Sequence, residues 1–280
     1  MTRRARRIRT IALCASALAL LLVCTRWCAA ERPLRLATFN IEHFPKSERQ
    51  VEEAFRLLAD LDVAAVGVQE ITDPVRFDRE ARERLGASWR SIFAHPCPAH
   101  RVGVVFDSER LELLSTRTHT ESMVLPGARP AFEARFRPID EDVVIRVVVL
   151  HLQSGGEAIE TRRRQLRALR PVLGAAMASG ERVIVLGDFN STGEEDRREI
   201  AGTVESAQMR WASEDLECTA YWNRRDGCRG SALDHVLSWQ NVSNLAVRGA
   251  CESEGCDPAD RCPSYVGDVS DHCPVTFDLP

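Results

Sequence analysis

The chain has 280 residues, 44% of them hydrophobic and 28% charged, with a formal net charge of −4. That composition excludes intrinsic disorder and suffices for one large core or two modest ones. Without the leader described next, six arginines and no acids are lost, leaving 31 basic against 41 acidic residues, a balance of −10. Such a chain does not hold nucleic acid by charge alone.

Residues 1–30 have the layout of a secretory signal peptide. "MTRRARR" is basic, Ile11 to Val23 is thirteen apolar or small side chains, and Cys28-Ala29-Ala30 offers small residues before Glu31, so cleavage is expected after Ala30. The apolar run falls short of the roughly 20 residues a membrane span requires. A lipoprotein signal ending at Cys24 or Cys28 is the weaker alternative, because Val23 and Trp27 occupy the positions where such signals carry a small residue. The mature chain is therefore expected to be secreted or periplasmic.

Residues 31–280 contain no linker, low-complexity tract or internal repeat and read as one domain. In chain order, "LRLATFN" is strand-like, and "SERQVEEAFRLLADL" places Val51, Phe55, Leu58 and Leu61 at helical spacing behind Ser47 as N-cap. "VAAVGVQE", "RVGVVF" and "VVIRVVVLHL" are strand-like by length and β-branched content. "AIETRRRQLRALRPVLGAAMA" sets Ile159, Leu166, Leu169 and Leu173 on one helical stripe, with Arg162, Arg163 and Arg164 expected on the solvated side. "RVIVLGDFN" and "SALDHVLSW" complete the strands. Strands and helices mix without strict alternation, and some strands abut through short turns. This predicts sheets with antiparallel pairs packed face to face under helices, rather than a doubly wound parallel sheet.

In "VIVLGDFNST", a continued strand points Asp188 and Asn190 the same way and turns Phe189 into the core. A loop opening with Asp and Asn bonded to nearby backbone is the competing reading. Asn40, Glu70, His151, Asp188, Asn190 and Asp234 all stand at or near the end of an apolar run, where a scaffold can hold polar groups around one cleft. Seven cysteines remain after the leader, several in Gly-, Asp- and Pro-rich loops suited to disulfides. An odd number leaves one thiol free or one bridge intermolecular, and spacing does not fix the connectivity. Cys251, Cys256 and Cys262 are spaced by five and six residues, which matches no usual zinc pattern.

"LATFNIEHF", "VGVQEI", "VVLHLQSGG", "VIVLGDFNST", "ALDHVLSW" and "VSDHCPVTF", in that order, resemble the endonuclease/exonuclease/phosphatase superfamily of deoxyribonuclease I-like fold. The resemblance covers nearly all of the mature chain. It implies an α/β, four-layer αββα sandwich: two mixed sheets face to face with helices outside. It also implies Glu70 as principal ligand of a Mg²⁺ or Mn²⁺ ion, with Asn40 and Asp271 close to metal and phosphate, and Glu42 a further candidate. Hard divalent ions take such oxygen donors. His151 and His272 resemble the catalytic histidines, and Asp234 the carboxylate that orients His272. By the same resemblance Asp188 and Asn190 would reach the scissile phosphate and the attacking water; whether Asp188 or His272 is the base stays open.

Three departures stand out. Thr72 replaces a groove-reading arginine of deoxyribonuclease I, and "AHPCPAHRVG" lacks the acid that pairs the first histidine there. Arg129 in "GARPAF" resembles a phosphate-contacting arginine but stands one residue nearer its proline. The implied activity is metal-dependent phosphodiester hydrolysis, with a nuclease first and a lipid or inositol phosphate phosphoesterase as the alternative. A non-catalytic binding module on the same fold is a third reading. No stable protein partner is evident, and a monomer is expected.

Overall fold

A computed structural model describes residues 33–97, 99–224, 227–257 and 261–279; the predicted leader, residues 1–30, lies outside them. In strand β1 (Arg35–Phe44), Leu36, Thr38 and Asn40 take one face and Ala37, Phe39 and Ile41 the other, and all six are buried. A strand covered on both faces belongs to a sheet sandwiched between layers.

The first sheet adds β2 (Ala65–Ile71), β3 (Trp89–Phe93), β4 (Arg101–Asp107), β13 (Ser243–Val247) and β14 (Val275–Asp278), in the order β13-β14-β1-β2-β4-β3. The second comprises β5 (Leu111–His119), β6 (Ala131–Pro138), β7 (Ile145–His151), β8 (Arg182–Asp188), β9 (Arg210–Trp211) and β12 (Asp234–Ser238), in the order β5-β6-β7-β8-β12-β9. Each sheet has one parallel pair, β1/β2 or β7/β8, among antiparallel neighbours.

Leu36, Val104, Phe106 and Phe277 from one sheet meet Phe136, Val147, Val149 and Leu186 from the other in a single apolar layer. Outside the first sheet, α1 (Glu48–Asp60) and α2 (Pro74–Arg84) cover Phe39, Ile41 and Val68 with Val51, Phe55, Leu58 and Phe77. Outside the second, α3 (Ile159–Ala178) and α4 (Glu194–Ala207) bring Leu166, Leu169, Leu173 and Ile200 onto Val148, Val183 and Val185. This is the αββα sandwich expected from the sequence. Ser47 caps α1 as expected, its side chain accepting from the Gln50 N–H at 3.1 Å. Among the described residues no helix is long and apolar enough to cross a membrane.

One expectation fails here. Arg163 is partly covered and Arg164 exposed, but Arg162 is 1% exposed, because Asp196 on α4 and carbonyls of the 153–155 loop bind all of its guanidinium nitrogens.

Gly67 faces the opposite sheet, and a Cβ there would stand 2.1 Å from Leu186 Cδ1 and 3.2 Å from Val149 Cγ2. Gly67→Ala is expected to destabilise the fold by about 1–3 kcal/mol through overpacking, read from the urea midpoint.

The hairpin β10 (Ala220–Arg224) and β11 (Gly227–Ser231) is stapled to the C-terminal segment by Cys218–Cys256 and Cys228–Cys262, while Cys251–Cys273 ties the short helix α5 (Ala250–Ser253) beside His272. Cys97 is free. The odd cysteine count thus resolves as three bridges and one thiol. Non-reducing peptide mapping of the chain starting at Glu31 should find these three pairs, with alkylation at Cys97 alone.

Candidate active site

Strand alternation turns the inter-sheet face from apolar to polar at one end of the sandwich. Leu36 is followed on that face by Thr38 and Asn40, Val149 by His151, and Leu186 by Asp188. Register then aligns them: His151 on β7 sits opposite Asp188 on β8, and Asp188 opposite Asp234 on β12, so three neighbouring strands place them in one row. From the facing sheet, the Asn40 Nδ2 donates to Asp188 Oδ2 at 3.1 Å and to Glu70 Oε1 at 3.4 Å.

The opening of the loop after β8 differs from a continued strand. Phe189 is buried as expected, but Asn190 has φ +50°, so the backbone leaves the strand beyond Asp188. The Asn190 side chain still folds back, its Nδ2 donating to Asp188 Oδ2 at 3.0 Å while its backbone N–H donates to Asp188 Oδ1 at 2.8 Å. Both readings of "GDFN" hold in part: a loop opens, and the two side chains meet.

His272 Nδ1 lies 2.8 Å from Asp234 Oδ2, and its Nε2 lies 3.8 Å from Asp188 Oδ2. A carboxylate on Nδ1 leaves Nε2 directed at the cleft. Asp234 is fixed in turn by the Thr219 hydroxyl, which donates to Oδ2 at 2.7 Å and accepts the Asp234 N–H. The Ser270 hydroxyl accepts the His272 N–H and donates to the Asn40 carbonyl, and the Tyr265 hydroxyl donates to the His272 carbonyl. Burial, the largest influence on His272, opposes its charge, but Asp234 and Asp188 outweigh it and hold its pKa well above the ordinary value. Burial pushes the Asp188 carboxyl up to about 7 against the pull of His272.

His151 Nε2 faces Asp188 Oδ2 at 3.4 Å and Glu70 Oε1 at 3.7 Å. Full burial, aided by Arg129 and His272, nonetheless drives its pKa well below the ordinary value, which favours the neutral ring. Its Nδ1 is buried without a hydrogen-bond partner, in keeping with the missing acid in "AHPCPAHRVG".

Whether these groups suit a hard divalent ion can be judged from the oxygens. Asp271 Oδ1 is buried without a hydrogen-bond partner, with His272 Nε2 3.9 Å away, and burial together with Glu42 and Glu70 raises the Asp271 pKa against the pull of His272. Glu42 Oε2 accepts the Asp271 N–H at 3.1 Å, which places Glu42 in the same group. Crowded carboxylates around an unsatisfied oxygen fit a Mg²⁺-class cation. The Asn40 Oδ1 instead accepts the Glu42 N–H, leaving its amide N–H groups to orient Glu70 and Asp188.

The structure therefore brings Asn40, Glu70, His151, Asp188, Asn190, Asp234, Asp271 and His272 into one cluster at the polar end of the sandwich. Arg129 is at its rim, with Nη2 3.4 Å from His100 Nδ1. Thr72 turns away, its hydroxyl donating to the Phe44 carbonyl. Sequence reasoning missed Thr219 and Tyr265, which carry no local signal, and Ser270, which stands two residues before His272 in "SDH". It also passed over His43 and His100, which meet at the rim.

No curated protein matches the chain by sequence. Among solved structures, D. rerio TDP2 complexed with a single-stranded DNA product aligns at TM-score 0.67 and 15% identity, covering 88% of this chain and 98% of that one. The endonuclease/exonuclease/phosphatase from Bacteroides vulgatus aligns at 0.66 and 17%, covering 89% and 99%. A mannosyl-6-phosphatase from Bacteroides thetaiotaomicron aligns at 0.63 and 14%, covering 88% and 99%. At these identities the likeness speaks to the fold, while the family is carried by a separate match. Residues 37–272 fit the model of the Endonuclease/Exonuclease/phosphatase family, and the chain belongs to that family of metal-dependent phosphoester hydrolases.

Proposed function

We propose that residues 31–280 form one exported catalytic domain, a Mg²⁺- or Mn²⁺-dependent phosphodiesterase with nucleic acid as its first candidate substrate. The observation that carries this reading is the spacing around Asp188: His272 Nε2 and Asp188 Oδ2 are 3.8 Å apart, too far for a direct hydrogen bond. One water oxygen lying about 2.8 Å from each spans that distance.

In this mechanism Asp188 and His272 hold the attacking water between them as a coupled pair; His272, its pKa held up by Asp234 and Asp188, orients the water and the Asp188 carboxylate takes its proton. Asp234 fixes the His272 tautomer, and Asn190 fixes Asp188. Neutral His151 donates a hydrogen bond from Nε2 to a phosphoryl oxygen, and Arg129 approaches the phosphate from the rim. Glu70 and Asp271 would hold the divalent ion, oriented by Asn40 and flanked by Glu42. When bound, that ion supplies neutralisation of phosphoryl charge and stabilisation of the leaving oxygen.

The signal-like leader and three disulfides support export to an oxidising compartment. The single-stranded DNA product in the TDP2 neighbour supports nucleic acid, and the mannosyl-6-phosphatase supports a phosphomonoester as the second reading. The test is hydrolysis of plasmid DNA, RNA, sphingomyelin, phosphoinositides, a sugar phosphate and a chromogenic phosphodiester, with Mg²⁺ and with chelator. Chelator-sensitive cleavage of DNA or RNA is expected. Turnover of the sugar phosphate alone selects the monoesterase, and turnover of none points to the binding module.

A further inference from the structure

At the rim of the cleft, His43 Nδ1 and His100 Nε2 lie 3.0 Å apart, and His43 Nδ1 lies 3.3 Å from Glu70 Oε2. These three donor atoms all fall within 4.8 Å of one another. The two oxygens of Glu70 look in different directions: Oε1 meets Asn40 and His151, while Oε2 meets the side chain and the backbone N–H of His43. His43 and Glu70 both have left-handed backbone, φ +55° and +62°, which turns their side chains out of the strand pattern toward this corner.

We propose that His43, His100 and Glu70 form a second cation site, selective for a borderline transition ion of the Zn²⁺ class over Mg²⁺. Imidazole nitrogens favour zinc, copper, iron and nickel, whereas Mg²⁺ prefers oxygen. Ligands about 2.0–2.1 Å from a tetrahedral Zn²⁺ stand about 3.3 Å from each other, the edge length seen between His43 and Glu70 and close to that between the two rings. Two histidines and a glutamate leave a fourth position for water or a phosphate oxygen, as in catalytic zinc sites rather than structural ones.

The proton now shared between the rings must leave the facing nitrogens, so His43 carries its proton on Nε2 and His100 on Nδ1 when metal is bound. His100 Nδ1 now faces Arg129 Nη2 at 3.4 Å, and both would then be donors, so Arg129 swings away as the ion binds. The site shares Glu70 with the ion of the proposed hydrolytic centre, but its existence does not rest on hydrolysis.

The test is equilibrium dialysis of the untagged, disulfide-intact chain against buffered Zn²⁺ in excess Mg²⁺, with bound metal measured by elemental analysis. The wild type is expected to retain one Zn²⁺, and the H43N/H100Q double variant to bind it at least about 100-fold more weakly. Asn tolerates the left-handed backbone of position 43, and H100Q alone, with at least about tenfold weakening expected, provides a second reading. Unchanged Zn²⁺ affinity in both variants overturns the site, as does a wild type that retains none at micromolar free metal. Loss of Zn²⁺ in D234N with retention in H43N/H100Q would assign it to Asp188, Asp234 and His272 instead. Because binding is read without turnover, a wrong substrate assignment leaves the result untouched.

Discussion

Replacing His272 with alanine is expected to lower kcat for the Mg²⁺-dependent reaction by about 10²–10⁴-fold, the range in which a positioned acid or base contributes. KM should change little, because His272 is expected to act on the attacking water rather than on the remote parts of the substrate. The residue is held at three points: its ring by Asp234 at Nδ1, its backbone N–H by the Ser270 hydroxyl and its carbonyl by the Tyr265 hydroxyl. So much fixation positions one nitrogen, Nε2, 3.8 Å from Asp188 Oδ2. Asp234→Asn should reduce kcat in the same direction but less, since the ring remains while the charge on Nδ1 is lost. Steady-state kinetics on whichever phosphodiester the chain hydrolyses, with thermal melting to show the variants folded, checks both. Full turnover in His272→Ala would remove the residue from its role and leave Asp188 to hold the water alone.

Much of this centre was legible because a strand repeats every two residues. Once "LRLATFN", "VVLHL" and "VIVLGD" are strands, His151 and Asp188 lie on the face of the apolar residue two before each and Asn40 on the face of Thr38 and Leu36, and parallel neighbours end at the same edge. The sequence could not show register. That His151, Asp188 and Asp234 align across β7, β8 and β12 is a property of the pairing. The apolar-run criterion does not mark β5 and β9, whose residues are polar or few, as suits sheet edges where one side lacks a partner, nor the central β6, whose apolar residues are interrupted by Glu133, Arg135 and Arg137. Helix α2 was missed although "TDPVRF" carries a full start signal, with Asp73 accepting the Arg76 N–H and Pro74 in the first turn. The disulfide pairing had no signal in spacing. Nor did the meeting of His43 and His100, 57 residues apart in sequence.

Arg162 looks solvated by residue type, but its position in α3 is buried. Residues 159, 162, 166, 169 and 173 recur at helical spacing, so Arg162 lies on the same buried stripe as Leu166, Leu169 and Leu173. What permits an arginine there is complete satisfaction. Nε and Nη2 donate to the two oxygens of Asp196 at 2.7 and 2.8 Å, Nη1 donates to the carbonyls of Gln153 and Gly155, and Nη2 also reaches the Thr192 hydroxyl. That accounts for all five guanidinium donors. Arg162→Met leaves Asp196 buried without its partner and is expected to cost about 3–5 kcal/mol of stability, measured by urea unfolding. Lysine should not rescue it, because a point charge cannot reproduce the fork. The double variant Arg162→Met with Asp196→Leu should recover much of the loss, since the penalty comes from the unpaired charge rather than the absent pair. Activity should not recover with it. Gln153 and Gly155 follow His151, and Thr192 follows Asn190, so Arg162 ties together the two loops that leave the proposed catalytic strands. A double variant that regains stability but keeps a depressed kcat would show that the arginine positions those loops; full recovery of both would reduce it to an internal salt bridge.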